Sequence, residues 1–392
     1  MKARVDLNDF MSAVARIKRS VPKKSLIPMM ENLMVKAEGD KVELIAVNSS
    51  SEMHIKVDAQ DIEPGFFCIN PEILENMMRL KSEYRNQQLS MEGNPDDGMV
   101  VFRLNKKTIS AKIVKITLDP WLYSGGEYIP LWITTYGDFK SIFRILSLYN
   151  EGATADPLTN FCLNMEKRYV TACDGRRVAV KMIHKGLNPV SKIKEVKLPK
   201  DFLPKITVCW PESEMNGTFV ELAKYGEGHL MIKGTDFYMV LEANETSPFY
   251  NVLDIVKESG NIYSCTFNQK NLMEIAKYNS TLHKDRFRNP MTFYSAENGM
   301  YSHIQDAGTD YVDRLNVTGN NLPADFMICF NPNYIFDLCL SVKERVFTAK
   351  FTNSNGGMFV CEGDWKFFIL PIKCTDAEET KKSINRVING GN

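Results

Sequence analysis

The hydrophobic and polar positions of this chain change spacing in a recurring way. In the stretch RVDLNDFMSAVARI, residues 4–17, a short strand-like run gives way to Phe10, Val14, Ile17 and Val21, spaced i, i+4, i+7 and i+11 as one face of a helix. The same entry recurs in ITTYGDFKSIFRIL at 133–146, with Phe139, Ile142, Phe143 and Leu146 as the apolar face, and in TFNQKNLMEIAKY at 266–278 around Leu272. Phe10, Phe139 and Leu272 lie 129 and 133 residues apart. A second pattern, a strand entering a helix through proline, occurs at Pro71, Pro199 and Pro332, which are 128 and 133 apart. Asn70 and Asn331 precede two of these prolines, the order favoured for an N-cap followed by the first helical residue. Between the two helices, β-rich runs flank turn residues at Glu38, Glu166 and Glu297, spaced by 128 and 131.

Three markers with one period predict three diverged tandem copies of a single α+β module: helix, hairpin, strand, second helix and further antiparallel strands. The copies are expected at 1–126, 127–255 and 256–374. Residues 375–392 follow the last apolar strand and are expected to form a polar, mobile tail.

Composition adds class and compartment. With 44% hydrophobic and 24% charged residues over 392, the chain is that of a soluble multidomain protein. The start, MKARVDLNDF, lacks the apolar core of a secretory signal, and no apolar run is long enough for a membrane span. The nine cysteines include no C-x-x-C pair and fit reduced thiols. A cytoplasmic protein is expected.

Forty-eight basic and 48 acidic residues cancel, so any attraction to nucleic acid must come from a local surface. Such a surface is visible in the helices. Arg16, Arg19 and Lys23 form a second stripe on the first helix, with Lys18 and Lys24 close by. Lys140 and Arg144 share the outer face of the second copy's helix, Lys270 and Lys277 that of the third, and the first proline-started helix ends in Arg79, Lys81 and Arg85. One such face is ordinarily a solvated surface. Recurrence in equivalent helices fits a track for phosphates.

The repeat also carries recognisable segments. The opening MK-x-x-V followed by SVPKKSLIPMMENLMVKAEGDKVELIAV, the segment CDGRRVAV at 173–180, and the closing FFILPIKC at 367–374 resemble the bacterial DNA polymerase III beta subunit family, the beta sliding clamp, along residues 1–374. That resemblance implies helices inside, antiparallel sheets outside, and a head-to-tail homodimeric ring around duplex DNA. It implies sequence-independent DNA contact through Lys24, Lys200 and Arg288, to which the helix faces add Lys23, Arg79, Lys140, Arg144 and Lys277. It implies a groove for short motifs of the replicative polymerase, the clamp loader and other partners. Leu158, Gly175, Arg177, Val178, Pro248, Val252, Leu370, Pro371 and Ile372 match that groove, and Cys173, Arg176 and Phe368 complete it. Ring closure is expected near Ile109 in the first copy and near Thr281 and Leu282 in the third. The chain departs from the family at Cys173 for Thr, Arg176 for His, Lys373 for Arg and Cys374 for Leu, and it continues past the family's usual end.

No enzyme signature competes with this reading. There is no P-loop and no H-E-x-x-H, and His54, His184, His229, His283 and His303 lack metal-ligand spacing. No catalytic residue, metal or cofactor is expected. The alternative function is a clamp-like interaction protein that binds partner peptides without closing on DNA.

Overall fold

A computed structural model describes the chain except residues 79–86, 95–96, 115–125, 190–191, 210–217, 244–247, 258–259, 261–262, 283–289, 307–308, 375–376 and 389–392. The element order repeats three times. The first copy runs β1 (Lys2–Asp6), α1 (Leu7–Ile17), β2 (Leu33–Glu38), β3 (Lys41–Asn48), β4 (Ser51–Glu63), β5 (Gly65–Ile69), α2 (Pro71–Met78), β6 (Gln88–Asn94), β7 (Met99–Leu104) and β8 (Lys107–Lys112). The second runs β9 (Tyr128–Thr135), α3 (Tyr136–Leu148), β10 (Asn160–Asn164), β11 (Tyr169–Cys173), β12 (Arg177–Met182), β13 (Glu195–Pro199), α4 (Phe202–Cys209), β14 (Phe219–Tyr225), β15 (His229–Lys233) and β16 (Phe237–Glu242). After a short α5 (Val252–Ile255), the third runs β17 (Tyr263–Asn268), α6 (Gln269–Thr281), β18 (Met291–Ala296), β19 (Gly299–Asp306), β20 (Thr309–Leu315), β21 (Val317–Asn320), β22 (Met327–Phe330), α7 (Pro332–Ser341), β23 (Val346–Phe351), β24 (Met358–Glu362) and β25 (Trp365–Ile369). A last helix, α8 (Ala377–Ile388), follows.

The helix starts explain part of the periodicity. Asp6, Thr135 and Asn268 occupy the same place in each copy, and the side-chain oxygen of each accepts a hydrogen bond from the backbone N–H three residues on: Asp9 at 3.2 Å, Asp138 at 3.1 Å and Asn271 at 3.0 Å. Asn331 caps α7 by accepting from the Asn333 N–H at 2.9 Å, and Asn70 does the same for Glu72 at 2.8 Å. The second copy has Leu198 in that place, which has no capping oxygen. There Pro199 ends β13, and α4 starts later, at Phe202. The apolar stripe of α1 also stops short of Val21: the helix ends at Ile17, a 3₁₀ turn covers Lys18–Ser20, and Pro22 bars helical geometry at Val21.

The chain folds into two compact units, residues 1–141 with 185–246, and residues 142–184 with 247–392. The chain passes from one to the other within α3. In the first unit the strand order is β8-β7-β6-β1-β4-β16-β15-β14-β9, with β3 beside β4 and β2 joining β3 to β5. Its central pairing joins the first and second copies: β4 and β16 are antiparallel, with His54 opposite Tyr238 and Ile55 opposite Phe237. Phe10, Val14 and Ile17 of α1 are fully buried against this sheet. In the second unit the order β12-β25-β24-β23-β17-β21 includes the equivalent pairing of the second and third copies, with Val178 opposite Phe368. A separate four-stranded sheet has the order β20-β19-β18-β22. Its Phe293 packs on Phe267 and Phe330, with ring centroids 5.6 and 5.7 Å away.

Within the expected mobile tail, Ala377–Ile388 form a helix. α8 buries Ile384 completely against Tyr294 and Tyr301, with Val312, Met327 and Ile388 packed around it. Its polar composition conceals a narrow contact face of Thr380, Ser383 and Ile384. Among the described residues no helix is long and apolar enough to cross a membrane.

Candidate functional site

The turn between β11 and β12 organises the part of the second unit where a groove is expected. Asp174 accepts hydrogen bonds from the backbone N–H groups of Arg176 at 2.9 Å and Arg177 at 3.0 Å, and Gly175 takes φ +85°. A Cβ at Gly175 would meet Leu158 Cδ1 at 3.6 Å, ordinary contact, so the dihedral rather than space calls for glycine here. β12 leaves this turn and pairs with β25, and Leu370 N–H donates to the Arg176 carbonyl at 2.8 Å.

Five expected groove residues meet in one cluster. Cys173, Val178 and Val252 are buried in it together with Tyr169, Phe249, Val256 and Phe359, and Leu158 and Phe368 pack against it half-buried. Burial pushes the Cys173 thiol pKa up, the opposite of what a nucleophilic thiolate requires. Leu370 is 43% exposed and Pro248 and Gly175 are exposed, so an apolar surface reaches solvent. Tyr250, just before α5, and Ile255, its last residue, are absent from the sequence expectations and are also exposed. Their signal in the sequence is weak, because isolated apolar residues in and just before a short helix read equally well as core.

The remaining expected residues face elsewhere. Arg177 is only 3% exposed; its Nε donates to Asp174 at 2.8 Å and its Nη1 to Asp337 at 2.6 Å, and the guanidinium lies over the Tyr334 ring at 4.1 Å. Burial opposes the charge, but the bonds to Asp337 and Asp174 outweigh it and hold the pKa above the usual arginine value. Arg176 and Arg177 line a polar cavity of about 450 Å³ with Glu151, Asn331, Tyr334 and Asp337. Pro371 and Ile372 line a different cavity of about 630 Å³ beside Met327, Cys329 and Cys374, where Ile372 N–H donates to the Cys329 carbonyl at 2.7 Å.

The basic candidates are dispersed. Lys23 and Lys24 are exposed in the turn after α1; Arg144 is exposed on α3 and Lys277 on α6; Lys140 and Lys200 are half-buried. Arg79 and Arg288 lie outside the described residues. Arg16 does not join an outer stripe: it donates to both oxygens of Asp236, at 2.5 and 3.2 Å, and its side chain is 11% exposed. Lys18 pairs with Glu75 at 2.5 Å. Ile109 sits half-buried in β8, and Thr281 and Leu282 lie at the C-terminal end of α6. Among the described residues no cluster of three or more His, Cys, Asp or Glu side chains is arranged to hold a metal.

Residues 1–112 match the family model of the DNA polymerase III beta subunit, N-terminal domain. No curated protein matches the chain. Among solved structures, the beta subunit of Streptococcus pyogenes DNA polymerase is similar with a TM-score of 0.81 at 16% identity, over 95% of this chain and 100% of that one. The DNA polymerase sliding clamp of Pseudomonas aeruginosa gives 0.80 at 15% identity, and that of Caulobacter crescentus 0.78 at 14%, with the same coverage. The chain has the beta-clamp fold.

Within this clamp fold, the copies are joined by one repeated device. β4 is the third strand of the first copy's four-strand group, and it pairs with β16, the last strand of the second copy. β12 is third in its group, and it pairs with β25, the last strand of the third copy. The same rule applied once more names β20 and β8. Among the described residues β20 pairs only with β19 and β8 only with β7, so both are open edges. β8 carries Lys107 and Lys112, with Lys106 just before it, and β20 carries Asp310, Asp313 and Arg314.

Proposed function

We propose that this chain is a DNA sliding clamp, a processivity factor that encircles duplex DNA as a head-to-tail homodimer and docks replication and repair proteins. The observation that carries this reading is the repeated junction. Two of three equivalent strand pairings are satisfied within one chain, and the two strands left open are the pair that a second copy would supply. Each copy would offer β8 to its partner's β20 and receive the reverse, a heterologous contact that closes after two subunits. β8 has two lysines and no acidic residue whereas β20, with Asp310, Asp313 and Arg314, is net negative by one charge, a modest bias toward that pairing over like with like. Ile109 then lies within the joint, and Thr281 and Leu282 beside it. The expected boundaries at 126 and 255 fall between the repeated element sets, which supports three clamp domains per chain.

Closure would hold the protein on DNA topologically, leaving the backbone charges of Lys23, Lys24, Arg79, Lys140, Arg144, Lys200, Lys277 and Arg288 to keep a sequence-independent, salt-sensitive contact. The apolar surface formed by Leu158, Phe368 and Leu370, backed by the buried Val178 and Val252, suits the anchor side chains of a short linear motif from a polymerase or clamp loader.

Ile109→Asp tests the joint. A charge buried without a partner in the new sheet should convert a dimer to a monomer in sedimentation at micromolar protein, and that monomer should keep a cooperative melt because β8 is an edge in it. A variant that remains dimeric would remove β8 from the joint.

A further inference from the structure

The open strand β20 is held from both faces. On one face Tyr311 meets Tyr278 of α6 edge to face, with ring centroids 6.0 Å apart. On the other face lies α8, the segment beyond the point where the family resemblance ends. Opposed residues in the ladder, Tyr294 with Tyr301 and with Met327, and His303 with Val312, share the face that α8 covers. The opposite face, through Phe293, belongs to the core shared with β17 and β22. α8 thus crosses the side of this sheet turned away from that core and buries Ile384 on it.

The contact is specific as well as apolar. Ser383 Oγ donates to Asp310 Oδ2 at 2.9 Å, while His303 Nε2 lies 2.8 Å from Asp310 Oδ1, so both oxygens of this β20 carboxylate are engaged. Burial raises the Asp310 pKa, but the hydrogen bonds from His303 and Ser383 and the charge of Arg386 on α8 outweigh it, leaving a carboxylate more acidic than usual. A second tie joins Lys381 to Asp325 at 2.8 Å, and Asp325 also accepts from the Tyr294 hydroxyl at 2.5 Å.

We propose that α8 is a brace for self-association: it fixes the side chains and twist of β20 so that the strand's open edge is ready to receive β8 of a second copy. This rests on the head-to-tail closure proposed above. An edge strand with one neighbour loses conformational freedom when it gains another, and a strand already fixed on both faces has less to lose on pairing. α8 leaves the edge itself uncovered, since its contacts are with side chains on the face of β20 rather than with the strand's free backbone groups.

The test compares the intact chain, a truncation ending at Cys374, and Ser383→Ala, each by sedimentation over a concentration series and by hydrogen exchange of the β20 amides. The intact chain should dimerise. The truncation should weaken the dimer at least tenfold and speed exchange in β20 of the monomer, and Ser383→Ala, which removes one of the bonds that fix Asp310, should weaken it by a smaller factor than the truncation does. A folded truncation with unchanged dimer affinity overturns the brace and leaves ring closure standing. Should the truncation lose its cooperative melt, an unchanged affinity in Ser383→Ala together with unchanged β20 exchange overturns it instead. An intact chain that stays monomeric defeats the closure reading, and the brace falls with it.

Discussion

Arg177 engages two carboxylates and an aromatic face at once, and it does so from a position almost closed to water. Asp174 is a local partner within its own turn, whereas Asp337 comes from α7 of the next copy. Replacing Arg177 with Met would leave both carboxylates beside apolar surface, which costs about 3–5 kcal/mol when a buried pair loses one member. Urea unfolding should show that loss, and Arg177→Lys should recover little of it, since an ammonium cannot bridge both carboxylates in the guanidinium's planar geometry. The Asp174-Gly175 turn is legible in the sequence because its chemistry is local. The role of Arg177 as an anchor is not, because its decisive partner lies 160 residues away. His54 presents the same situation in the other unit. It is 2% exposed, stacks on Tyr238 with centroids 4.1 Å apart, and sits between Glu43 and Glu52. Burial lowers its pKa, but the hydrogen bonds to the two glutamates outweigh this and raise it above 6.5, while Glu43 is held below its usual 4.5 by His54 and Lys56 against the opposing effect of burial. The histidine's contribution is therefore complete below pH 6.5 and is lost as pH rises through its folded value. That of Glu43 is present above pH 4.5 and is lost on acidification. Stability measured by urea midpoint should fall as pH rises above 6.5, and His54→Gln should flatten that dependence; an unchanged slope in the variant would assign the pH effect to other groups.

At the scale of elements, capping decides where the predicted helices begin. Asp6, Thr135 and Asn268 give the three entry helices one design, and the spacing of their apolar faces makes those helices readable from sequence. The proline-started helices diverge where the cap diverges: Asn331 is buried and bonded, whereas Leu198 offers nothing and α4 starts late. Asn331→Ala should destabilise the protein by about 1 kcal/mol, the usual cost of a lost N-cap, measurable as a reduced urea midpoint. α8 escapes the reading for a different reason. Its contact face has one large apolar residue, Ile384, and its remaining anchors are polar atoms paired with Asp310 and Asp325. A segment of that composition looks like a solvated tail until the sheet face it covers is known.

At the scale of the molecule, the three copies are legible because their spacing survives substitutions that leave little else shared. The junctions between copies are not, since strand pairing between β4 and β16 or between β12 and β25 leaves no mark in local periodicity. The residues expected to form a groove divide accordingly. Leu158, Cys173, Val178, Val252 and Phe368 meet in one cluster, whereas Arg177, Pro371 and Ile372 turn to neighbouring cavities. Charge reversal at Lys24, Lys200 and Lys277 together should weaken sequence-independent DNA binding and reduce the salt slope by about 0.9 for each phosphate that is no longer neutralised. Ring closure itself is tested most directly by topology. The protein is allowed to thread onto linear duplex DNA, the DNA ends are ligated into a circle, free protein is removed in about 1 M salt, where charges are screened beyond about 3 Å, and the circle is then cut once. The proposed clamp stays with the closed circle through the wash and leaves when the DNA is cut; protein that washes off the closed circle, or that remains on the cut DNA, would contradict encirclement.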